Sequence, residues 1–311
     1  MRIAVIYTGA TRTIESTIQH FKKNVLLNDN YHVFSVVQSD NINHHNHLIR
    51  ETIGDNLKSI EWFDKDNIDW IKIRDELLNN MNISERWKHY LRTSGSMIEY
   101  YQLYLAYQIM ELYETENNIK YDFVLRFRTD TVLKDMIRFE TIFEKEYITN
   151  FVHKIKNELH IDIVSEQFID IFMNTFYNEN RILYKNIQFQ NKKHLSLLHL
   201  TDEESFIDGI IHYLNHGDYL ITVRKNVIYF SRRDVMTHLH LIGITYGEYK
   251  DSHEYWFDSE TQLEKICDTY YIDKYNSTTS LEDKSLYEYN HIHYYDQDEL
   301  KGEYSFFIKR H

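Results

Sequence analysis

The sequence predicts an α/β fold, with a mostly parallel sheet flanked by helices and a C-terminal elaboration. Two stretches carry that prediction. Residues 2–8 and 31–38 are continuous apolar runs, the pattern of strands buried on both faces. Between them Ile14, Ile18, Phe21, Val25 and Leu26 recur at helical spacing through residues 13–27, after a tight turn at Gly9-Ala10-Thr11-Arg12. Strand, turn, helix and strand in under forty residues make a βαβ unit, and such a unit requires parallel strands.

The remaining elements follow in order. The polar stretch from Ser39 to Asn46 reads as a loop, and its His44, His45 and His47 as solvent-exposed. A strand is expected over 57–63 and helices over 66–80 and 84–117, the latter with Met97, Tyr101, Tyr104, Leu105, Gln108 and Leu112 on one face. Residues 121–128 are the next clear strand. Phe123, Leu125 and Phe127 fall on one side of it, Val124, Arg126 and Arg128 on the other. Helices over 166–178, 203–215 and 259–269 and strands over 218–224 and 226–232 complete the reading. Neither a repeat nor a linker interrupts it, so residues 1–235 are expected to form one domain, with 236–311 packed on it.

Composition narrows the function. The chain has 311 residues, 42% of them hydrophobic and 15% aromatic, enough for a sizeable core. No apolar run approaches the ~18 residues of a membrane span, and the first residues read as a strand and not a signal peptide. The single cysteine, Cys267, rules out an intrachain disulfide framework and fits a reducing, cytoplasmic compartment. A formal net charge of −13 argues against nucleic acid as the main partner, because that binding needs Lys and Arg to neutralise phosphates. The absence of proline and the rarity of alanine read as a genome-wide codon bias, so the many tyrosines are no sign of a sugar-binding platform by number alone.

Two places invite chemistry. The turn Gly9–Arg12 closes the first strand, where ligands of open parallel sheets bind beside a helix N-terminus, and Arg12 supplies a fixed cationic fork. An ordinary βα turn with a surface arginine accounts for the same residues. Arg126-Phe127-Arg128-Thr129-Asp130 leaves a buried strand with a carboxylate at the ligand edge, suited either to a divalent ion or to a salt bridge with Arg126 or Arg128.

These blocks, in this order, resemble a family of GT-A-type glycosyltransferases found in surface-polysaccharide pathways and in some large viruses. Gly9 and Arg12 match a strand-end Gly-x-x-Arg, Ser94-Gly95-Ser96-Met97 with Tyr100-Tyr101 matches a Ser-rich helix start, and Tyr121 to Asp130 matches the block ending Arg-x-Arg-x-Asp. Glu166-Gln167-Phe168 stands where the family has Asp-Gln-Phe, and Asp202-Glu203-Glu204-Ser205 where it has an acidic Pro-Glu block. Arg128 occupies the place of the first acid of a full Asp-x-Asp.

The resemblance covers about residues 2–235. It implies a GT-A-like, Rossmann-type sheet and transfer of a sugar from a nucleotide-sugar donor to an acceptor hydroxyl, on a glycan. Thr8, Gly9, Arg12, Ser94, Ser96, Arg126, Arg128 and Asp130 would meet the donor, with Mn²⁺ or Mg²⁺ at Asp130 and a third ligand from His238 or His240. Glu166, Glu203 and Glu204 are the implied catalytic carboxylates, although Thr201-Asp202-Glu203-Glu204 also reads as a capped helix start. A non-catalytic binding protein on this fold, or a nucleotidyltransferase, stays open beside that reading.

Overall fold

The structure, a computed structural model, describes residues 1–80, 84–133, 136, 139–160, 165–179, 202–216, 220–224, 228–234 and 306–308. It is an α/β protein with a mostly parallel sheet flanked by helices. The chain divides into two compact units, the first taking Met1–Ile137 with later strands, the second Arg138–Arg224 with a later segment. The boundary expected at residue 235 meets residues 235–305, which are outside the described ones. So are the helix expected over 259–269 and the side chains of His238 and His240.

The first unit contains β1 (Ile3–Ala10), α1 (Ile14–Asn24), β2 (Tyr31–Gln38), α2 (Ile42–Ile53) and β3 (Leu57–Trp62). After them come α3 (Ile68–Asn80), α4 (Glu85–Thr93), α5 (Ser96–Asn117), β4 (Phe123–Arg128) and β5 (Thr131–Leu133). The second unit contributes α6 (Lys145–Leu159), α7 (Glu166–Glu179), α8 (Glu203–His216) and β6 (Leu220–Arg224). Two strands return to the first unit, β7 (Ile228–Arg232) and β8 (Phe306–Ile308).

Five strands of the first unit lie in the order β3-β2-β1-β4-β7. The β1–β2, β2–β3 and β1–β4 pairs are parallel and β4–β7 is antiparallel. Register decides the two faces. Tyr7 lies level with Ser35 and Phe127, and Phe21 of α1 stacks on Tyr7 and packs against Phe127 at centroid distances of 4.3 and 5.0 Å. Ile6 lies level with Phe34 and Arg126 on the opposite face, where α5 supplies Tyr113 against Phe34 and Glu99 beside Arg126. The period-2 reading of residues 123–128 therefore separates the α1 side from the α5 side correctly.

Two helical readings needed correction. Residues 39–46, expected as a loop, start α2 at Ile42, with the Asn41 side chain accepting from the His44 amide at 3.3 Å. Its apolar face rests on Ile49 and Ile53 alone, both late in the helix, so the polar first turn gave no periodic signal. The helix expected over 84–117 is two helices, because Ser94 is extended (φ −80°, ψ 158°) between α4 and α5. The buried face of α5 holds Tyr100, Leu103, Ala106, Tyr107 and Met110 with Met97, whereas Leu112 is exposed. Apolar residues surround this helix, and periodicity alone could not select its buried side.

At the carboxyl edge, β1 and β4 are joined by Thr129. Its amide donates to the Thr8 carbonyl at 3.2 Å and its hydroxyl to the Ala10 carbonyl at 2.7 Å, while its own carbonyl accepts from the Thr17 hydroxyl of α1 at 2.6 Å. Gly9 makes this approach possible. Its φ is +138°, and a Cβ there would lie 2.5 Å from Thr129 Oγ1. Gly9→Ala should therefore lower stability by about 2–4 kcal/mol, combining steric displacement with backbone strain. In a Thr129→Ala background, where the clashing oxygen is gone, the same change should cost clearly less. Urea unfolding of the four proteins measures the coupling, and strictly additive costs would remove the steric account.

Candidate functional site

In the order β3-β2-β1-β4 the chain leaves β1 toward β2 on one side and reaches β4 on the other. That makes the carboxyl ends of β1 and β4 a topological switch point, where the loops diverge and open α/β sheets bind ligands. Gly9–Arg12 and Thr129–Asp130 meet there, because the two strands are parallel with Thr8 level with Arg128. The sequence placed both segments at this edge, and the structure shows them side by side.

Each segment carries a different chemistry. Arg12 is exposed in the turn just before α1. Thr11 and Thr13 on either side are buried, and the Thr13 hydroxyl has no hydrogen-bond partner among the described residues. The same is true of the Thr8 hydroxyl, which is fully buried, and of Ser94 Oγ at the junction of α4 and α5. Buried hydroxyls are normally satisfied. Thr131 Oγ1, one residue beyond Asp130, is also buried without a partner among the described residues, so these hydroxyls are enclosed groups of the edge, and the exposed group there is Arg12. Ser96 opens α5, and nothing is described of its side chain.

The arginines on β4 differ from one another. Arg126 is 1% exposed and donates to the carbonyls of Phe127 at 2.7 Å and Thr8 at 3.4 Å. Burial pulls its pKa down and Glu99, 3.4 Å away, opposes that shift. It is enclosed beneath α5, so its place in the fold is that of a structural cation and not of a group facing a diphosphate. Arg128 is the more accessible one. It closes a two-pronged pair on Asp130, Nε to Oδ1 at 3.0 Å and Nη2 to Oδ2 at 2.7 Å, and lies 3.5 Å from Glu99.

This arrangement tests the divalent ion that the resemblance implies at Asp130. Both Asp130 oxygens already accept from one guanidinium, and the next carboxylate, Glu99, is shared by Arg126 and Arg128. Two cations balance two anions, and a divalent ion at Asp130 would sit against Arg128. The residues as arranged do not fit a hard cation, which needs carboxylate oxygens free to coordinate it. Of the two sequence alternatives at Asp130, the salt bridge is the one formed.

The three implied catalytic carboxylates all lie in the second unit. Glu166 opens α7, and its side chain is outside the described residues. Glu203 opens α8, with Asp202 accepting from the Ser205 amide at 2.8 Å, so the capped helix start is real. Lys156 bonds Glu203 Oε2 at 2.9 Å and His153 bonds its other oxygen. The Lys156 bond is the main cause of the lowered Glu203 pKa, with His153 adding to it. Glu204 is exposed on the same turn.

A further group escaped the sequence reading. Glu15 of α1 and His44 and His45 of α2 bring ligating atoms within 4.8 Å of one another. The histidines gave the signal, but a loop assignment had placed them in solvent with no partner helix. The fold is that of an α/β protein with a topological switch point at the carboxyl edge of its mostly parallel sheet. No protein-family model matches the chain, and no curated protein matches it. Among the described residues no helix is long and apolar enough to cross a membrane.

Glu99 is what compensates the buried Arg126 charge from the helix side. Glu99→Gln should destabilise the protein by about 2 kcal/mol or more, because a buried guanidinium loses its counter-charge. The check is a denaturant midpoint. An unchanged midpoint would mean that the carbonyls of Phe127 and Thr8 satisfy Arg126 unaided.

Proposed function

We propose that the chain is a glycosyltransferase that binds a nucleotide-sugar donor at the carboxyl ends of β1 and β4. The observation that carries the reading is the meeting of Gly9–Arg12 with Thr129–Asp130 at the switch point of a parallel sheet. The exposed Arg12 at that edge supports an anionic ligand, and the ordered resemblance of residues 2–235 supports a nucleotide sugar in particular.

In this reading Arg12 and the N-terminal turn of α1 take the anionic diphosphate, and Arg128 stays paired with Asp130 beside it. The acceptor hydroxyl, on a glycan, gives up its proton to a carboxylate base. Its oxygen bonds the anomeric carbon as the bond from that carbon to the diphosphate breaks, with the electron pair staying on the departing nucleotide. Guanidinium groups stabilise that leaving charge. Mn²⁺ or Mg²⁺ at Asp130 is kept out of the scheme, because Arg128 occupies both carboxylate oxygens. The same closed ion pair favours a second reading, a nucleotide-binding protein without turnover.

Two variants test the site. Arg12→Ala should weaken nucleoside diphosphate binding at least about tenfold, the worth of a charge-assisted bond of ~1.5–3 kcal/mol. Asp130→Asn should release Arg128 and leave that affinity equal or tighter, with sugar-donor hydrolysis persisting in chelator. Calorimetry with UDP and GDP and a hydrolysis assay read both. Unchanged binding in Arg12→Ala would reduce the turn to a turn, and abolished, metal-stimulated hydrolysis in Asp130→Asn would restore the ion to Asp130. Diphosphate binding with no hydrolysis of any donor would favour the binding protein.

A further inference from the structure

The group of Glu15, His44 and His45 lies on the first turns of α1 and α2, the helices that follow β1 and β2. Its side chains therefore hang from the carboxyl edge, next to the Gly9–Arg12 turn. His44 Nε2 and Glu15 Oε1 are 2.8 Å apart, and both side chains are exposed, at 51% and 70%. An ion pair that open to water is worth little. Nor does it account for His45, which is held from behind.

His45 Nδ1 lies 2.9 Å from Thr11 Oγ1 and 2.6 Å from Ser39 Oγ. The Thr11 hydroxyl also reaches the Gln38 carbonyl at 3.1 Å, and the Ser39 hydroxyl accepts from the Asn41 amide at 2.9 Å. Both contacts to His45 fall on Nδ1, so the ring is held from that side and Nε2 is turned away from Thr11 and Ser39. A histidine with one ring nitrogen fixed by oxygens of the scaffold and the other left open is the arrangement that orients metal ligands. Thr11 and Ser39 come from the turns that end β1 and β2, so the sheet itself sets the ring.

We propose that Glu15, His44 and His45 form a binding site for one divalent transition-metal ion of the zinc class. Two imidazole nitrogens and one carboxylate oxygen suit Zn²⁺ and its borderline neighbours, whereas Mg²⁺ and Ca²⁺ require sets dominated by oxygen. Tetrahedral coordination with bonds of about 2.0 Å places ligand atoms about 3.3 Å apart. The 4.8 Å span thus closes through changes in the exposed Glu15 and His44 side chains, with His45 as the fixed member. Three protein ligands leave a fourth position for water or an anion, and the ion ties α1 to α2 across the edge of the sheet. The proposal rests on none of the sugar-transfer chemistry.

Zinc chloride titrated calorimetrically into the purified full chain at neutral pH tests it, in a buffer that does not chelate. The wild type should take up zinc, and His44→Gln and Glu15→Gln should each lose one equivalent or weaken it at least about tenfold. Both residues are exposed, so the metal-free variants should melt with the wild type. Ser39→Ala should weaken the same equivalent by a smaller factor, which a simple ion pair would not produce. His212→Gln should leave it intact, although His212 and His216 pair their rings on α8 at 4.6 Å. Isotherms of His44→Gln and Glu15→Gln that match the wild type would overturn the proposal. So would loss of the equivalent in His212→Gln alone, or no zinc uptake by the wild type.

Discussion

The contact between Thr129 and Gly9 is the constraint on which the rest of the carboxyl edge depends. One residue after β4 binds the carbonyls of Thr8 and Ala10 through its amide and hydroxyl, and its own carbonyl is held by Thr17 of α1. The consecutive β1 and α1 are thereby fixed to the end of β4, with Thr129 lying 112 residues beyond Thr17 in the chain. The place a Cβ would fill at Gly9 is taken by the Thr129 hydroxyl. The glycine therefore has a packing cause in addition to any ligand, and the Arg12 turn and Asp130 are carried into proximity as a consequence.

The two edges of the sheet are built on different electrostatics. At the amino edge Arg233 binds Glu114 at 2.8 Å and Glu111 at 2.9 Å, Glu114 also accepts from the Tyr121 amide, and Asp122 accepts from the Arg2 amide at 2.7 Å. Those groups satisfy each other and close the end of β4. At the carboxyl edge Glu99, Arg126, Arg128 and Asp130 also pair, but Arg12 stands exposed beside them and buried hydroxyls lack partners among the described residues. A chain of net charge −13 thus keeps a local positive group where an anion would be bound.

How much was legible follows from the physics of each element. Buried strands of a parallel sheet announce themselves as continuous apolar runs, and the expected 31–38 and the observed Tyr31–Gln38 coincide. The side assignment of Arg126 and Arg128 followed from period 2. Their partner did not: Glu99 comes from α5, and no spacing in the sequence links it to β4. A separation of 27 residues makes that pair a product of tertiary packing. The α5 face was misjudged because the helix is apolar on several sides, and α2 was missed because its first turn is polar. With α2 unread, His44 and His45 had no scaffold, and their convergence with Glu15 was invisible.

The central claim is that a nucleoside diphosphate occupies the β1–β4 edge. Hydrogen–deuterium exchange of the full chain, with and without saturating UDP or GDP, tests it most directly. The account predicts slowed exchange in the peptides covering Gly9–Ile14 and Thr129–Thr131, with the start of α5 following and the amino-edge segment around Asp122 unchanged. Protection confined to other segments, or none with either nucleotide at concentrations that calorimetry shows to be saturating, would contradict it.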